Sequence, residues 1–247
     1  MTEALQVDGV TVTFGTFRAI NNLTFHVDYG TVCAIIGPNG AGKTTLLDAI
    51  TGKSSVSNGC ITLDRRIELT KLQEPEIVLA GVGRKFQKPS IFEALTLMQN
   101  LMLALNVSKR RTIMELFSLP TAQQVALIEQ TFETIGMADQ HDQIAGTLSH
   151  GQKQWLEIGM LLMQEPRVLL LDEPVAGMSD SETERTADLI AKLKSPDRAI
   201  VVIEHDMEFV EKVADRVIVL DGGQLLVEGR MDAVKSDPRV VEVYLGR

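Results

Sequence analysis

Residues 37–45 read GPNGAGKTT and carry the strongest chemical pattern in the chain. They follow an apolar run of buried-strand type, Thr31–Ile36, and precede a helical stretch, Lys43–Thr51. Glycines let successive backbone N–H groups curl around phosphate oxygens where side chains would collide, and the start of a helix adds unpaired donors. The pattern GxxxxGK[ST] between a strand and a helix therefore predicts a loop that binds the phosphates of a nucleotide.

Two positions of this loop have separate expected tasks. We expect Lys43 to reach the β- and γ-phosphates and the Thr44 hydroxyl to ligate Mg²⁺. A glycine-rich turn that matches the pattern by chance is the alternative, and the strand and helix around the loop argue against it. The predicted cofactor-binding residues of the loop are Gly37, Pro38, Asn39, Gly40, Ala41, Gly42, Lys43, Thr44 and Thr45.

A pair of carboxylates, Asp172 and Glu173, follows the apolar run Val168–Leu171. An enzyme with such a phosphate loop places its magnesium ligand at the carboxyl end of a buried strand. We expect Asp172 to hold Mg²⁺ through water and Glu173 to orient and deprotonate the attacking water. Without a phosphate loop, the same pair would more often be a solvated turn.

The elements that must position these residues follow two periods. Val10–Phe14 and Leu23–Val27 alternate apolar and polar residues, as half-buried strands do. The last third alternates short apolar strands with helices, which indicates a parallel sheet covered on both faces. Its predicted elements are strand Val168–Leu171, helix Ser181–Leu193, strand Ala199–Ile203, helix Met207–Ala214, strand Val217–Leu220 and, after the turn Asp221–Gly223, a final strand.

The middle of the chain, about residues 90–163, is predicted to be a helical insertion into this α/β core. Thr121 and Gln124 have the spacing of a capping box, and Gly136 is expected to end the helix that they begin. The apolar residues at helical spacing between these ends are Val125, Ile128, Phe132 and Ile135.

Composition narrows the possible functions. The net charge of −9 argues against a nucleic-acid partner, since phosphate backbones need a basic face. Cys33 and Cys60 have no metal-ligand spacing, so neither zinc nor a disulfide is expected, and Cys33 is predicted to be a small core residue. The N-terminal residues lack a secretory pattern, and the apolar runs are shorter than a membrane span. We expect a soluble chain that reaches a membrane through a partner.

Residues 148–152 read LSHGQ, in which Ser149 and Gln152 form a capping box before an apolar-faced helix containing Trp155, Ile158 and Leu162. This segment resembles the LSGGQ signature of ABC ATPases, and the resemblance covers essentially the whole chain. It implies a P-loop NTPase core with an N-terminal antiparallel β subdomain and an inserted helical subdomain. On this basis residues 1–247 form one nucleotide-binding domain.

The resemblance also implies roles for single residues. Phe14 stands where the family's aromatic residue stacks on adenine, with a strand core residue as the alternative. Gln87 matches the glutamine that touches Mg²⁺ and water, and His205 matches the histidine that hydrogen-bonds the γ-phosphate. Residues 176–179, AGMS, match the D-loop, although the family more often ends this segment in Asp or Asn. The signature residues implied to bind nucleotide are Ser149, Gly151 and Gln152.

Longer strings narrow the family further. GRKFQKPSIFEALT, LSHGQKQWLEIG and DEPVAGMSDSETE resemble the branched-chain amino-acid importer group. Within it they look most like the ATPase subunit of urea and short-amide importers, and His150 in the signature fits that subgroup. A branched-chain amino-acid importer remains the alternative. A soluble ABC ATPase acting on DNA or ribosomes is disfavoured by the single cassette and the acidic charge, and a GTPase by the lack of an NKxD-type motif.

This resemblance implies a set of cofactors and partners. ATP and Mg²⁺ are the expected cofactors, and hydrolysis would drive solute uptake through two transmembrane permease subunits. A second ATPase subunit is expected, forming a heterodimer, with a homodimer as the alternative. A periplasmic solute-binding protein would act indirectly, and the chain would lie peripherally at the cytoplasmic face of the inner membrane.

Overall fold

The computed structural model describes residues 2–85, 90–105 and 121–245. The chain forms two compact units. The first comprises residues 1–87, 166–176 and 193–247, and the second comprises residues 88–165 and 177–192. Each unit has its own arrangement of elements, and the two are described in turn.

Strands dominate the first unit and form two sheets. In the smaller, antiparallel sheet the strand order is β2-β1-β4-β5, and in the larger it is β10-β9-β3-β8-β7-β6. The strands are β1 (Glu3–Phe14), β2 (Phe17–Asp28), β3 (Val32–Ile36), β4 (Asn58–Leu63), β5 (Ile67–Glu68), β6 (Val82–Lys85), β7 (Val168–Asp172), β8 (Ala199–Ile203), β9 (Arg216–Asp221) and β10 (Gln224–Gly229).

The described helices fall in both units. Those of the first unit are α1 (Lys43–Ile50), α2 (Glu74–Ala80), α7 (Met207–Val213), α8 (Met231–Lys235) and α9 (Pro238–Leu245). Those of the second unit are α3 (Leu97–Ala104), α4 (Ala122–Ile135), α5 (His150–Leu162) and nearly all of α6 (Asp180–Leu193). Among the described residues, none of these helices is long and apolar enough to cross a membrane.

The larger sheet is parallel except at β10, which pairs antiparallel with β9. Strands β3, β7 and β8 are buried along their whole length, because each is an uninterrupted apolar run covered on both faces. In this register Asp172 lies beside Ile203, and Ile35 lies on the other side of Ile203. The carboxyl ends of these three strands therefore meet at one edge of the sheet. Cys33 is fully within the core, as predicted.

Capping boxes begin the main helices of the second unit. Thr121 accepts a hydrogen bond from the Gln124 N–H, and Gly136 ends α4 in the left-handed conformation, so both predicted ends of that helix are confirmed. Ile128, Phe132 and Ile135 are buried, but Val125 is 41% exposed. Helical spacing alone was a wrong guide to burial at Val125, because that residue stands on the first turn, where the apolar stripe has barely begun.

Candidate active site

The phosphate loop joins β3 to α1 and depends on glycine at two points. A Cβ atom at Gly37 would lie 2.2 Å from the Leu220 carbonyl oxygen, and one at Gly42 would lie 2.7 Å from the Ala19 oxygen. Gly42 has φ of 100° and stands at the N-cap of α1, where no side chain caps the helix. The backbone N–H groups of the first turn are therefore oriented as an anion site requires, with no capping side chain in competition.

Lys43 is the first residue of α1 and is only 7% exposed. Its ammonium group donates to the Gly37 carbonyl at 2.6 Å and to the Pro38 carbonyl at 3.1 Å, so the side chain folds back along its own loop. Burial lowers the pKa of Lys43, while the negative charges of Glu173 and Asp172 act in the opposite direction. The cation is thus held where phosphate oxygens could replace carbonyl oxygens as its acceptors.

Asp172 ends β7 and is 2% exposed. Its Oδ2 accepts a hydrogen bond from the Arg84 guanidinium at 3.0 Å, whereas its Oδ1 is buried and has no hydrogen-bond partner. Burial raises the pKa of Asp172, and Arg84 partly offsets this shift. Arg84 also donates to Asp48 at 2.6 Å, so it is shared between two carboxylates.

The unpartnered Oδ1 of Asp172 is the observation that fits a magnesium ion. A buried anionic oxygen without a donor is costly, and a hard cation would satisfy it. Among the residues that the structure describes, no group of three or more His, Cys, Asp or Glu side chains could hold a metal ion by itself. This agrees with the habit of Mg²⁺, which binds through one or two protein oxygens together with substrate phosphates.

Glu173 and His205 are brought together at the carboxyl ends of β7 and β8. The Glu173 Oε1 and His205 Nε2 atoms lie 3.0 Å apart. Glu173 has φ of 48°, a left-handed conformation uncommon outside glycine, and its N–H donates to the Ile203 carbonyl at 2.9 Å. Because β7 and β8 are adjacent parallel strands, the two side chains meet although 32 positions separate them in the sequence.

Two aromatic residues face solvent at the hairpin between β1 and β2. Phe14 is 54% exposed and Phe17 is 64% exposed, and the two are paired across the strands. Of the two predictions for Phe14, the core residue is wrong, because its side chain lies outside the sheet's apolar core. Neighbouring exposed aromatic rings of this kind are unusual unless they bind something.

The signature segment lies in the second unit and begins α5. Ser149 caps the helix by accepting from the Gln152 N–H at 3.2 Å, and its own hydroxyl donates to Glu182 Oε1 at 3.0 Å. The other oxygen of Glu182 accepts from the N–H and hydroxyl of Ser179 at 3.1 and 3.0 Å. A Cβ atom at Gly151 would lie 2.6 Å from Glu182 Oε1. Glycine at this position therefore leaves room for a carboxylate that joins the signature to the D-loop segment.

Several groups around these sites were not predicted from the sequence. They are Arg84 beside Asp172, Glu182 beside Ser149, Glu204 beside His205, and Phe17 beside Phe14. The run IEH at 203–205 carried a weak signal, since a charged residue directly after a buried strand needs a partner. Gln87, predicted to contact Mg²⁺ and water, lies outside the described residues.

A family model described as "ABC transporter" matches residues 20–176. The chain belongs to the ABC transporter family. Its phosphate loop, β7 carboxylates and signature all fall within or at the edge of the matched region. As an ABC protein of this kind, the chain is an ATP-binding subunit and an ATP hydrolase coupled to transport, so the predicted enzyme class is confirmed.

Individual ABC proteins are similar over nearly the full length. The high-affinity branched-chain amino acid transport ATP-binding protein BraF of Pseudomonas aeruginosa is 34% identical over 98% of this chain and 97% of its own. The corresponding LivG protein of Escherichia coli has the same identity and coverage. A crystal structure of the ADP conformation of an ATP-binding cassette of an ABC transporter has a TM-score of 0.88 at 30% identity, and covers 100% of both chains.

These similarities confirm the predicted fold class, an α/β ABC ATPase with an antiparallel β subdomain and a helical region. ABC importer ATPases work with transmembrane permeases and dimerise. Both relatives are named for branched-chain amino acid transport, which was the alternative prediction, and neither is named for urea.

Proposed function

We propose that this chain is the ATP-hydrolysing subunit of an ABC importer, with residues 1–247 acting as one nucleotide-binding domain whose helical part is inserted at about residues 90–163. The observation that carries the proposal is the 3.0 Å contact between Glu173 and His205 beside the phosphate loop. It supplies a carboxylate base and a hydrogen-bonding imidazole at the edge of the sheet where open α/β enzymes bind their ligands.

The proposed chemistry is hydrolysis of the γ-phosphoryl bond. Glu173 orients a water molecule and takes its proton as the water oxygen bonds to the γ-phosphorus. The bond from that phosphorus to the β–γ bridging oxygen breaks, and ADP leaves with the electron pair. Lys43 offsets the negative charge on the β- and γ-phosphates, and His205 donates a hydrogen bond to the γ-phosphate. Catalysis is therefore mainly positioning and electrostatic stabilisation.

Magnesium, when bound, would neutralise charge on the phosphates at this site. Asp172 and the exposed Thr44 hydroxyl at the start of α1 are the proposed ligands within the described residues. Gln87 is proposed as a third. The base of the nucleotide would stack on Phe14, and the adjacent Phe17 offers a second exposed ring for the same purpose.

The signature is proposed to act on ATP bound to a second ATPase subunit. Ser149, Gly151 and Gln152 form a helix start that suits a γ-phosphate, with N–H donors and one exposed hydroxyl. A heterodimer is the proposed assembly, attached to two permeases at the cytoplasmic face of the membrane and fed indirectly by a periplasmic solute-binding protein. Turnover per site should then rise when the second ATPase is co-expressed, and full activity from this chain alone would contradict the heterodimer.

Branched-chain amino acids are the proposed solute class, because full-length relatives at 34% identity are named for them. Urea or a short amide is the second candidate, supported by the resemblance at His150 and around the signature. Vesicles that contain the permeases, both ATPases and the binding protein would decide between them. ATP-dependent uptake of labelled leucine is expected. Uptake of urea but not leucine would select the second candidate, and hydrolysis without uptake of any solute would contradict an importer.

A further inference from the structure

Glu204 is a buried carboxylate that the chemistry above does not use. It follows β8 directly and is 4% exposed. Burial raises the pKa of Glu204, and the backbone N–H groups of Val175, His205 and Asp206 oppose that shift. A carboxylate in this position is costly to keep unless its oxygens are hydrogen-bonded, so the contacts that it makes indicate why it is there.

These contacts join the two backbone segments that carry the reactive pair. Glu204 Oε1 accepts from the Val175 N–H at 3.0 Å, and Glu204 Oε2 accepts from the His205 N–H at 3.0 Å. Val175 stands two residues after Glu173, and His205 is the partner of Glu173. One side chain therefore bridges the turn after the general base to the backbone of the imidazole.

The turn that Glu204 holds is a strained one. Glu173 adopts φ of 48°, and such a conformation in a residue other than glycine persists only where neighbouring contacts enforce it. The Glu173 N–H bond to Ile203 fixes one side of the turn. The Glu204 bond to Val175 fixes the other side, where the chain leaves the strand end.

We propose that Glu204 is a positioning residue for hydrolysis: its carboxylate clamps the two strand ends so that Glu173 and His205 stay within hydrogen-bonding distance. The clamp acts through those two residues and makes no contact with the nucleotide. This inference rests on the proposed function, because it concerns the geometry of the hydrolytic pair. It predicts that loss of the clamp impairs the chemical step and spares ATP binding, since Lys43 and the phosphate loop are elsewhere in the unit.

Glu204→Gln is the sharpest test, because glutamine keeps the size but replaces one acceptor with an NH₂ group that faces a backbone donor. In the full chain assembled with its permeases and second ATPase, we expect kcat to fall about ten- to a hundredfold, the scale of a small misplacement. The KM for ATP should change less than about twofold, because uniform binding is unaffected. Glu173→Gln in the same assembly gives the residual rate without the base.

Val201→Ala is the matched control, since Val201 is a buried residue of β8 that takes no part in the clamp. Truncation should lower the stability of the same strand by creating a cavity, with kcat kept near that of the wild type. If the two variants lose kcat in proportion to stability, or if Glu204→Gln keeps the wild-type kcat, the clamp is overturned.

Glu204→Asp covers the case in which the glutamine variant does not fold. It keeps the charge and both acceptor oxygens but shortens the reach, so a lower kcat at unchanged KM is expected, and an unchanged kcat would overturn the clamp. A wild-type assembly that does not hydrolyse ATP would overturn the proposed function and the clamp with it. An active wild type with equally active Glu204 variants would overturn the clamp alone.

Discussion

The two units present their candidate nucleotide-binding groups in opposite ways. In the first unit, Asp172 and Glu204 lie at the ends of buried parallel strands and are almost inaccessible to solvent. In the second unit, Ser149 and Glu182 lie at the starts of two helices, where solvent reaches them. Burial raises the pKa of Asp172, whereas the hydrogen bond from the Ser179 N–H lowers the pKa of Glu182.

This difference teaches where each site gets its specificity. Buried carboxylates cost stability without a ligand, but they are preorganised and strong in a low-dielectric setting. Helix-start groups are held by capping and side-chain hydrogen bonds, which a ligand must replace before it can bind. We therefore expect substitutions in the first unit to change catalysis most, and those in the second to change it less.

The largest expected effect comes from Glu173→Gln. Loss of a general base should lower turnover about 10²–10⁴-fold, while ATP binding is kept because the phosphate loop is intact. Steady-state hydrolysis and nucleotide binding by the assembled transporter check this. Glu208→Gln is the control, since Glu208 is an exposed acidic residue of α7. A Glu173 variant with turnover within a few-fold of the wild type would remove Glu173 from the role.

A smaller effect is expected from Lys43→Met. The buried ammonium should be worth about one or two charged hydrogen bonds to phosphate, so ATP affinity should fall about ten- to a hundredfold. Stability without nucleotide should change little, because burying the cation is itself unfavourable. Calorimetric titration with ATP measures the affinity, and Lys71→Met, at an exposed lysine, is the control. Unchanged affinity would separate Lys43 from phosphate binding.

In the second unit, Gly151→Ala is expected to lower hydrolysis by about tenfold, the scale of one lost hydrogen bond to a charged group. The new methyl group would push Glu182 aside and break its contact with Ser149. ATP binding by the isolated chain should not change. Gly229→Ala is the control, because its methyl group would meet Ala233 at an ordinary 3.7 Å. A loss as large as that of Glu173→Gln would erase the contrast between the units.

Much of the site-bearing scaffold could be predicted because its signals are local. The boundaries of β8 match the prediction, and α1 begins at Lys43 as predicted. These elements are an uninterrupted apolar run and a helix that follows a glycine-rich loop. The capping box of Ser149 and Gln152 also formed as expected, because both of its hydrogen bonds lie within four residues.

The rest depends on contacts that sequence periodicity does not encode. Strand β6 escaped prediction because it ends in Arg84 and Lys85, both buried, and charged residues are read as exposed. Arg84 is buried because it pairs with carboxylates 36 and 88 positions away. Strand β1 begins at Glu3, seven residues before its predicted start, since irregularities in its pairing interrupt the alternation there.

The pH dependence of stability sharpens the comparison further, starting with Asp172. Its folded-state pKa is raised above the ordinary value, so the folded state binds the proton more tightly than the unfolded chain does. Ionisation therefore lowers the free energy of unfolding at neutral pH, and this penalty fades as pH falls through the folded pKa. Asp172→Asn should be more stable than the wild type at pH 7 and lose that advantage in acid, as measured by amide exchange in β7. Asp8→Asn, at an exposed position of β1, should show neither effect.

Glu182→Gln should behave in the opposite sense, and this is the smallest effect, because the carboxylate is screened by solvent. The N–H and hydroxyl of Ser179 and the hydroxyl of Ser149 lower the pKa of Glu182, so its ionised form stabilises the fold above the ordinary pKa of glutamate. That contribution is lost as pH falls through the lowered, folded-state pKa. The variant should therefore be less stable than the wild type at pH 7 and equal to it in strong acid. Urea unfolding followed by fluorescence of Trp155, the single tryptophan, reports on this unit. A stability gain in both Asp172→Asn and Glu182→Gln at pH 7 would show that the two units carry their charges in the same way.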